Sequence, residues 1–299
     1  VIGVLTAVRP FVEGSADVSI DEARLADVAS WLAYEELPVP PVFLPFRVPP
    51  EQVVDFVLVT SCLNFAYTDF TTRERWDLVL DGRVYADADG LHAAFFRAGP
   101  EVLRGEWLAS VTPAQLGEIL PGLQMLEERA AILNEVGATL LDRWDGRFAN
   151  VVDSVSTVQE YLDVLIREFP RFDDEPFYKL AQLSAWILHI EGAKRWPDVD
   201  TLTAFADYIV PMGLRAMGII RYSEPLAAAI DSWTPIEAGS SWEVEIRAAT
   251  VWVCHLLAEA VTELRPPELK VIDAQIDARY WFFFHKTHAA HHLTRTIYY

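Results

Sequence analysis

The chain has 299 residues, 52% of them hydrophobic, enough to bury one large core or two smaller ones. Its 44 acidic and 24 basic side chains give a formal charge of −20, a surface that repels phosphate backbones, so no nucleic acid polymer is expected as a partner. The two cysteines, Cys62 and Cys254, have no metal or redox spacing and read as packing residues of a reduced, cytoplasmic protein.

No basic-then-apolar leader and no apolar run long enough to span a bilayer is seen, so no membrane partner is expected either. Most of the chain predicts helix. Ser19-Ile20-Asp21-Glu22 has capping-box spacing and opens a helix towards Tyr34. Leu37 to Pro50 holds six prolines and predicts a loop or extended connector. Asp77 to Leu80 and Arg83 to Tyr85 flank Asp81-Gly82, which predicts a β-hairpin. Thr112-Pro113-Ala114-Gln115 is a second capping box, with proline at the first helical position. Leu123, Leu126, Ala130, Leu133, Val136 and Leu140 recur at helical spacing and mark a buried stripe. Thr157 to Glu160 opens a helix carrying Tyr161, Leu162, Leu165 and Phe169, and Ser240 to Glu243 opens a long one through Leu264. A last helix covers Ile272 to Thr287. The reading is a mainly α protein with a small hairpin. Residues 1–50 form an N-terminal helix and connector and 51–299 the helical domain, with 1–299 as one compact unit.

The chemistry centres on one acid. Asp207 sits among Leu202, Phe205, Tyr208, Val210 and Pro211. A carboxylate in apolar surroundings is costly to desolvate, so it tends to be paired, protonated or used. Lys179 and Gln182, three apart, share one helical face. The bland alternatives are a helix-terminus acid at Asp207 and a solvated lysine on an amphipathic helix.

Seven segments occur together in one order: Cys62 to Phe65, Leu126 to Gly137, Phe169 to Asp174, Phe177 to Gln182, Leu202 to Pro211, Glu243 to Arg247 and Arg295 to Tyr299. Each is soft alone; in sequence from about Val53 to Tyr299 they are specific. The chain resembles the queuosine salvage proteins, the queuosine 5′-phosphate N-glycosylases. The resemblance implies a mainly α fold, distantly like the helix-hairpin-helix DNA glycosylases. It implies release of a 7-deazapurine base from a small nucleotide substrate, with no metal and no organic cofactor. By resemblance, Asp207 is the catalytic carboxylate, stabilising positive charge on the ribose and positioning water. Lys179 and Gln182 would reach a phosphate and a base edge. Asn64 would donate to the base or act in a turn, and Phe65, Phe177, Tyr178 and Tyr208 would stack on the base or simply pack.

The departures from the family pattern run from polar to apolar. Leu180 and Ile209 stand where the family has arginine, Met212 where it has glutamine, and Ser61, Ile187 and Phe282 where it has acids; Leu293 replaces the arginine of a His-Arg pair. If those groups form salt bridges behind the pocket, losing both partners is nearly neutral. If they touch substrate, Leu180, Ile187, Ile209, Met212 and Phe282 line a drier pocket. The chain is then a diverged paralogue in specialised metabolism. Asp207 would act there as a protonated acid in a cation-stabilised reaction such as a cyclisation. A catalytically silent binding protein is a third reading, against which the retained Asp207 and Lys179 speak.

His285, His288 and His292 have i, i+3, i+7 spacing with His291 beside them, and would share a face only on a continuous helix. With no adjacent carboxylate or cysteine, they read as a polar tail helix. The acid runs Asp173-Asp174-Glu175 and Asp198-Val199-Asp200 lack calcium-loop spacing and read as solvated turns. No Gly-rich phosphate loop or nucleophile elbow occurs.

Overall fold

The computed structural model describes residues 3–37, 43–287 and 289–299. In chain order the elements are α1 (Val4–Glu13), β1 (Val18–Ile20), α2 (Glu22–Leu32), α3 (Val53–Cys62), β2 (Asp77–Leu80), β3 (Arg83–Ala86), α4 (Asp87–Ala98), α5 (Gly105–Leu108), α6 (Pro113–Ile119), α7 (Leu126–Arg143), α8 (Phe148–Asp153), α9 (Val158–Glu168), α10 (Lys179–Ile190), α11 (Ile209–Ala216), β4 (Ile220–Tyr222), α12 (Glu224–Asp231), α13 (Ser241–Glu263) and α14 (Asp273–Phe284). The fold is mainly α, as the periodicity predicts. None of the described helices is long and apolar enough to cross a membrane. The chain forms two compact units, each discontinuous in sequence: Val1–Pro40 with Glu175–Lys179 and Asp200–Thr296, and Pro41–Asp174 with Leu180–Val199 and Ile297–Tyr299.

In the first unit α13 is the axis. Ser240 caps it by accepting the Glu243 N–H at 3.4 Å, and its buried positions run from Glu243 to Val261. Against it pack α1, α2, α11 and α14, with Leu25, Val28, Leu214, Ile246, Leu257 and Ile276 in one apolar core. β1 pairs antiparallel with β4, Val18 facing Tyr222. Ser19 lies inside β1, so the capping box expected there does not form; Asp21 caps α2 by accepting the Arg24 N–H at 2.9 Å. An aspartate at the N-cap does the same work as serine, here two residues further on. Helix α1 has no sequence signal: its N-cap is Gly3 and Pro10 lies inside it.

In the second unit β2 and β3 form the expected hairpin, with Asp81 (φ 51°) and Gly82 (φ 78°) in the turn. Two left-handed residues between paired strands match the strand twist. The Thr112–Gln115 capping box forms at α6. On α7 Ala130, Leu133, Val136 and Leu140 are buried, Leu126 half-buried. Thr157 caps α9, and Asp198 is no solvated turn acid: it accepts the N–H groups of Val158 at 2.8 Å and Gln159 at 3.3 Å. Free N–H groups at a helix start draw in a carboxylate. Residues 43–50 carry no helix or strand, and 38–42 lie outside the described residues. Both cysteines are buried.

Candidate active site

The site of interest lies in the first unit. Residues 202–207 run without regular structure into α11. Asp207 is 7% exposed, and its Oδ1 accepts the N–H groups of Ile209 and Val210, both at 2.9 Å. The start of α11 therefore orients one carboxylate oxygen. Burial pushes the Asp207 carboxyl above its ordinary range. The Lys179 charge, the two N–H groups and Arg247 pull the other way.

A second buried acid interacts electrostatically with Asp207 and Lys179. Asp277 of α14 is 3% exposed, and its Oδ2 accepts the Phe205 N–H at 2.8 Å. Burial, then the nearby Asp207 charge, push its carboxyl well up, against the pull of the Phe205 N–H and Lys179. From α13 the Cys254 thiol is also pushed well up by burial, with Asp277, Asp273 and Asp207 adding to it. Lys179, the first residue of α10, is itself 5% exposed and thus a buried cation acting on both acids.

Arg247 of α13 fixes the other side of the loop. Its Nε donates to the Ala206 carbonyl at 3.2 Å, Glu243 Oε1 lies 3.3 Å from Nη1, and the guanidinium stands 4.0 Å from the Phe177 ring centre. Phe177 and Ala206 pack with Val4, Val8, Ala248 and Val251. Glu245, on the same helix, accepts from the Ser15 hydroxyl at 2.5 Å and the Asp17 N–H at 3.0 Å. The Glu-x-Glu-x-Arg spacing thus serves two tasks on α13, one toward the Asp207 loop and one toward the β1 approach.

Tyr208 is half-buried and stacks on His291 at 4.4 Å and 23°; the Trp233 ring meets His291 edge-on at 4.9 Å. Burial, with His291 and Arg247 nearby, lowers the His292 imidazole to about 3, so it is neutral at working pH. Tyr178, at φ 48°, turns the chain from Phe177 into Lys179. Ile209 and Met212 are buried in α11, Met212 sulfur taking a long contact from the Thr287 hydroxyl at 3.9 Å. Phe282 is half-buried with its ring edge-on to Trp281 at 5.2 Å.

Six other residues singled out in the sequence belong to the second unit. Asn64 follows α3 in a turn, its N–H donating to the Ser61 carbonyl at 3.3 Å. Phe65 is fully buried, with the guanidiniums of Arg129 and Arg171 over its ring at 4.0 and 4.9 Å. Its surface is spent on packing inside that unit. Leu180 and Gln182 are buried in α10. Ile187 and Ser61 are buried too.

The polar tail helix does not extend as expected. α14 ends at Phe284, His285 stacks on Trp281 at 4.4 Å, and His291 and His292 are buried in a later loop. The i, i+3, i+7 face therefore does not form, and His288 lies outside the described residues.

Asp277 was not singled out by the sequence. The signal was there: it sits between Ile276 and Ala278, with Tyr280 three residues on, the same acid-among-apolar pattern as Asp207. Arg247 lay in a recognised segment without an assigned role.

Fold and site define a mainly helical protein that keeps two carboxylates and a lysine dry beside a helix start. Such an arrangement can hold one oriented anion against developing positive charge. The chain belongs to the queuosine salvage protein family, whose profile matches residues 44–299. It is 32% identical to the queuosine 5′-phosphate N-glycosylase/hydrolase of Sphaerobacter thermophilus, covering 100% of this chain and 98% of that one. It is 30% identical to the Bos taurus protein of the same name over 84% of this chain and 82% of that one. The Mus musculus protein of that name is 26% identical over 96% and 92%.

Proposed function

We propose that this chain is a hydrolase that cleaves the N-glycosidic bond of queuosine 5′-phosphate and releases queuine. The observation that carries the reading is the buried Asp207 carboxylate, aimed by two N–H groups of α11 and flanked by Lys179, in a family whose relatives bear that name. Cleaving the bond builds oxocarbenium-like charge on the ribose, and an anion fixed in a dry site stabilises it without reorganising. The same carboxylate orients the attacking water. Position 7 of the base is carbon, so a proton for the leaving group must act elsewhere on the ring.

In this reading Tyr208, Tyr178 and Phe177 shape the aromatic surround, while Lys179 balances the anion. Gln182, Asn64 and Phe65 remain proposed binding residues, of which Phe65 acts by holding Arg129 and Arg171. The apolar replacements Leu180, Ile209 and Met212 are core residues of their helices, which fits exchange of charged partners for packing. Phe282 is half-buried against Trp281 and fits the same exchange. The two unbridged cysteines suit a reducing compartment, and the cytoplasm is the proposed location.

The test is incubation with queuosine 5′-phosphate and with queuosine, followed by mass spectrometry. Free queuine from wild type but not from folded Asp207→Asn supports the assignment. Equal release by both proteins would remove Asp207 from the chemistry.

A further inference from the structure

The two buried acids of the site are not equivalent. Asp207 receives two backbone N–H groups at 2.9 Å from the start of α11, while Asp277 receives one at 2.8 Å from Phe205. Arg247 acts on Asp207 and is fixed to the adjacent Ala206 carbonyl. Lys179 acts on both acids. The cationic and N–H environment thus favours a negative charge at Asp207 over one at Asp277.

Lys179 is the cation that acts on both acids, while Arg247 acts on Asp207 and is itself paired with Glu243 at 3.3 Å, so a second buried anion at Asp277 is the less compensated of the two. We propose that Asp277 carries the proton of the Asp207–Asp277 pair and so leaves Asp207 as the single carboxylate anion of the site. Asp277 is then a positioning residue. It anchors Phe205, two residues before Asp207, and stays neutral so that Asp207 can stay charged. Two carboxyl groups whose surroundings differ in this way divide one proton unequally. The other ionisable groups facing Asp277 do not alter the division: Cys254 is a neutral thiol, and Asp273, one turn earlier on α14, has His255 at 3.2 Å.

The location of the proton does not depend on the substrate. Its kinetic consequence rests on the glycosylase reading. The first arm therefore uses the free protein: carbon-13 NMR of aspartate side-chain carboxyls through a pH titration, with the signals assigned by Asp207→Asn and Asp277→Asn. The expected result is an Asp277 signal that stays in its protonated position at neutral pH while the Asp207 signal is ionised. An ionised Asp277 signal at neutral pH, or a protonated Asp207, overturns the proposal whatever the enzyme's substrate.

The second arm is the pH profile of kcat/KM on queuosine 5′-phosphate. Asparagine imitates a protonated aspartate and still accepts the Phe205 N–H. Asp277→Asn should hold kcat within about tenfold of wild type and leave the acidic limb in place, while Asp277→Ala, with no acceptor for Phe205, loses more. If Asp277 were ionised, its removal would move the acidic limb to lower pH; if it delivered the leaving-group proton, Asp277→Asn would lose about 10²-fold or more. Either result in a folded variant contradicts a neutral positioning role. Absence of turnover in the wild type would end the glycosylase reading and leave the NMR result standing.

Discussion

Asp207 combines a costly burial with three sources of relief, and their balance decides its behaviour. Burial is the largest influence, and it lifts the carboxyl above its ordinary 3.8 despite Lys179, the α11 N–H groups and Arg247. On the proposed assignment the active form is the anion, so activity should fall as pH drops through the raised value. The acidic limb of kcat/KM is expected at a pH above 3.8, and Lys179→Met should move it higher still by removing the cation that favours the anion. A wild-type limb at or below 3.8, or a limb unmoved by Lys179→Met, would contradict this. The burial of Asp207 is legible in the sequence because an acid among apolar residues is conspicuous. Asp277 carried the same signal but stood outside the recognised segments. Phe65, an aromatic in a recognised segment, is fully buried with two guanidiniums over its ring, a setting its own segment does not announce. Those arginines come from Arg129 and Arg171, far from Phe65 in sequence, and no local pattern announces them.

Helices with side-chain caps were the readable elements. Thr112, Thr157 and Ser240 each open the helix they announce, because the cap is a contact within four residues. α1 was not readable, since it starts at a glycine, contains a proline and is held by tertiary packing of Val4 and Val8. Helix contacts also set tolerances. A Cβ on Gly137 of α7 would stand 2.2 Å from the Ala109 nitrogen and 2.7 Å from the Leu108 carbonyl carbon, backbone that follows from α5. Gly137→Ala gains up to about 1 kcal/mol of helix propensity. It should still destabilise by about 2 kcal/mol in urea unfolding, because the clash is with backbone. A stabilised variant would show that α5 and α7 can part freely.

His255 ties α13 to α14 through Asp273 at 3.2 Å, and Asp273 raises the imidazole above its ordinary 6.5. A raised histidine contributes stability that is fully present below 6.5 and lost as pH rises through the folded value. The gap in unfolding midpoint between wild type and His255→Gln should therefore be widest in mild acid and close at alkaline pH. A gap constant with pH would assign His255 a packing role alone.

The whole molecule carries a charge of −20, yet it buries cations where the site needs them, at Lys179 and Arg247. Net charge therefore describes the surface as a whole, while local placement of charge describes the site. The chain passes between its two compact units at residues 40–41, 174–175, 179–180, 199–200 and 296–297. Neither unit is a continuous stretch of sequence, which is why the proline-rich connector marks no simple boundary. The reading of residues 1–299 as one unit predicts a single unfolding transition, coincident by far-UV circular dichroism and tryptophan fluorescence. Two separated transitions would show that the units unfold independently.

The most direct measurement remains product analysis by mass spectrometry on queuosine 5′-phosphate with the wild-type protein and folded Asp207→Asn. The account predicts free queuine and the sugar phosphate from the wild type and a loss of about 10²-fold or more in the variant. No queuine from the folded wild type would contradict it.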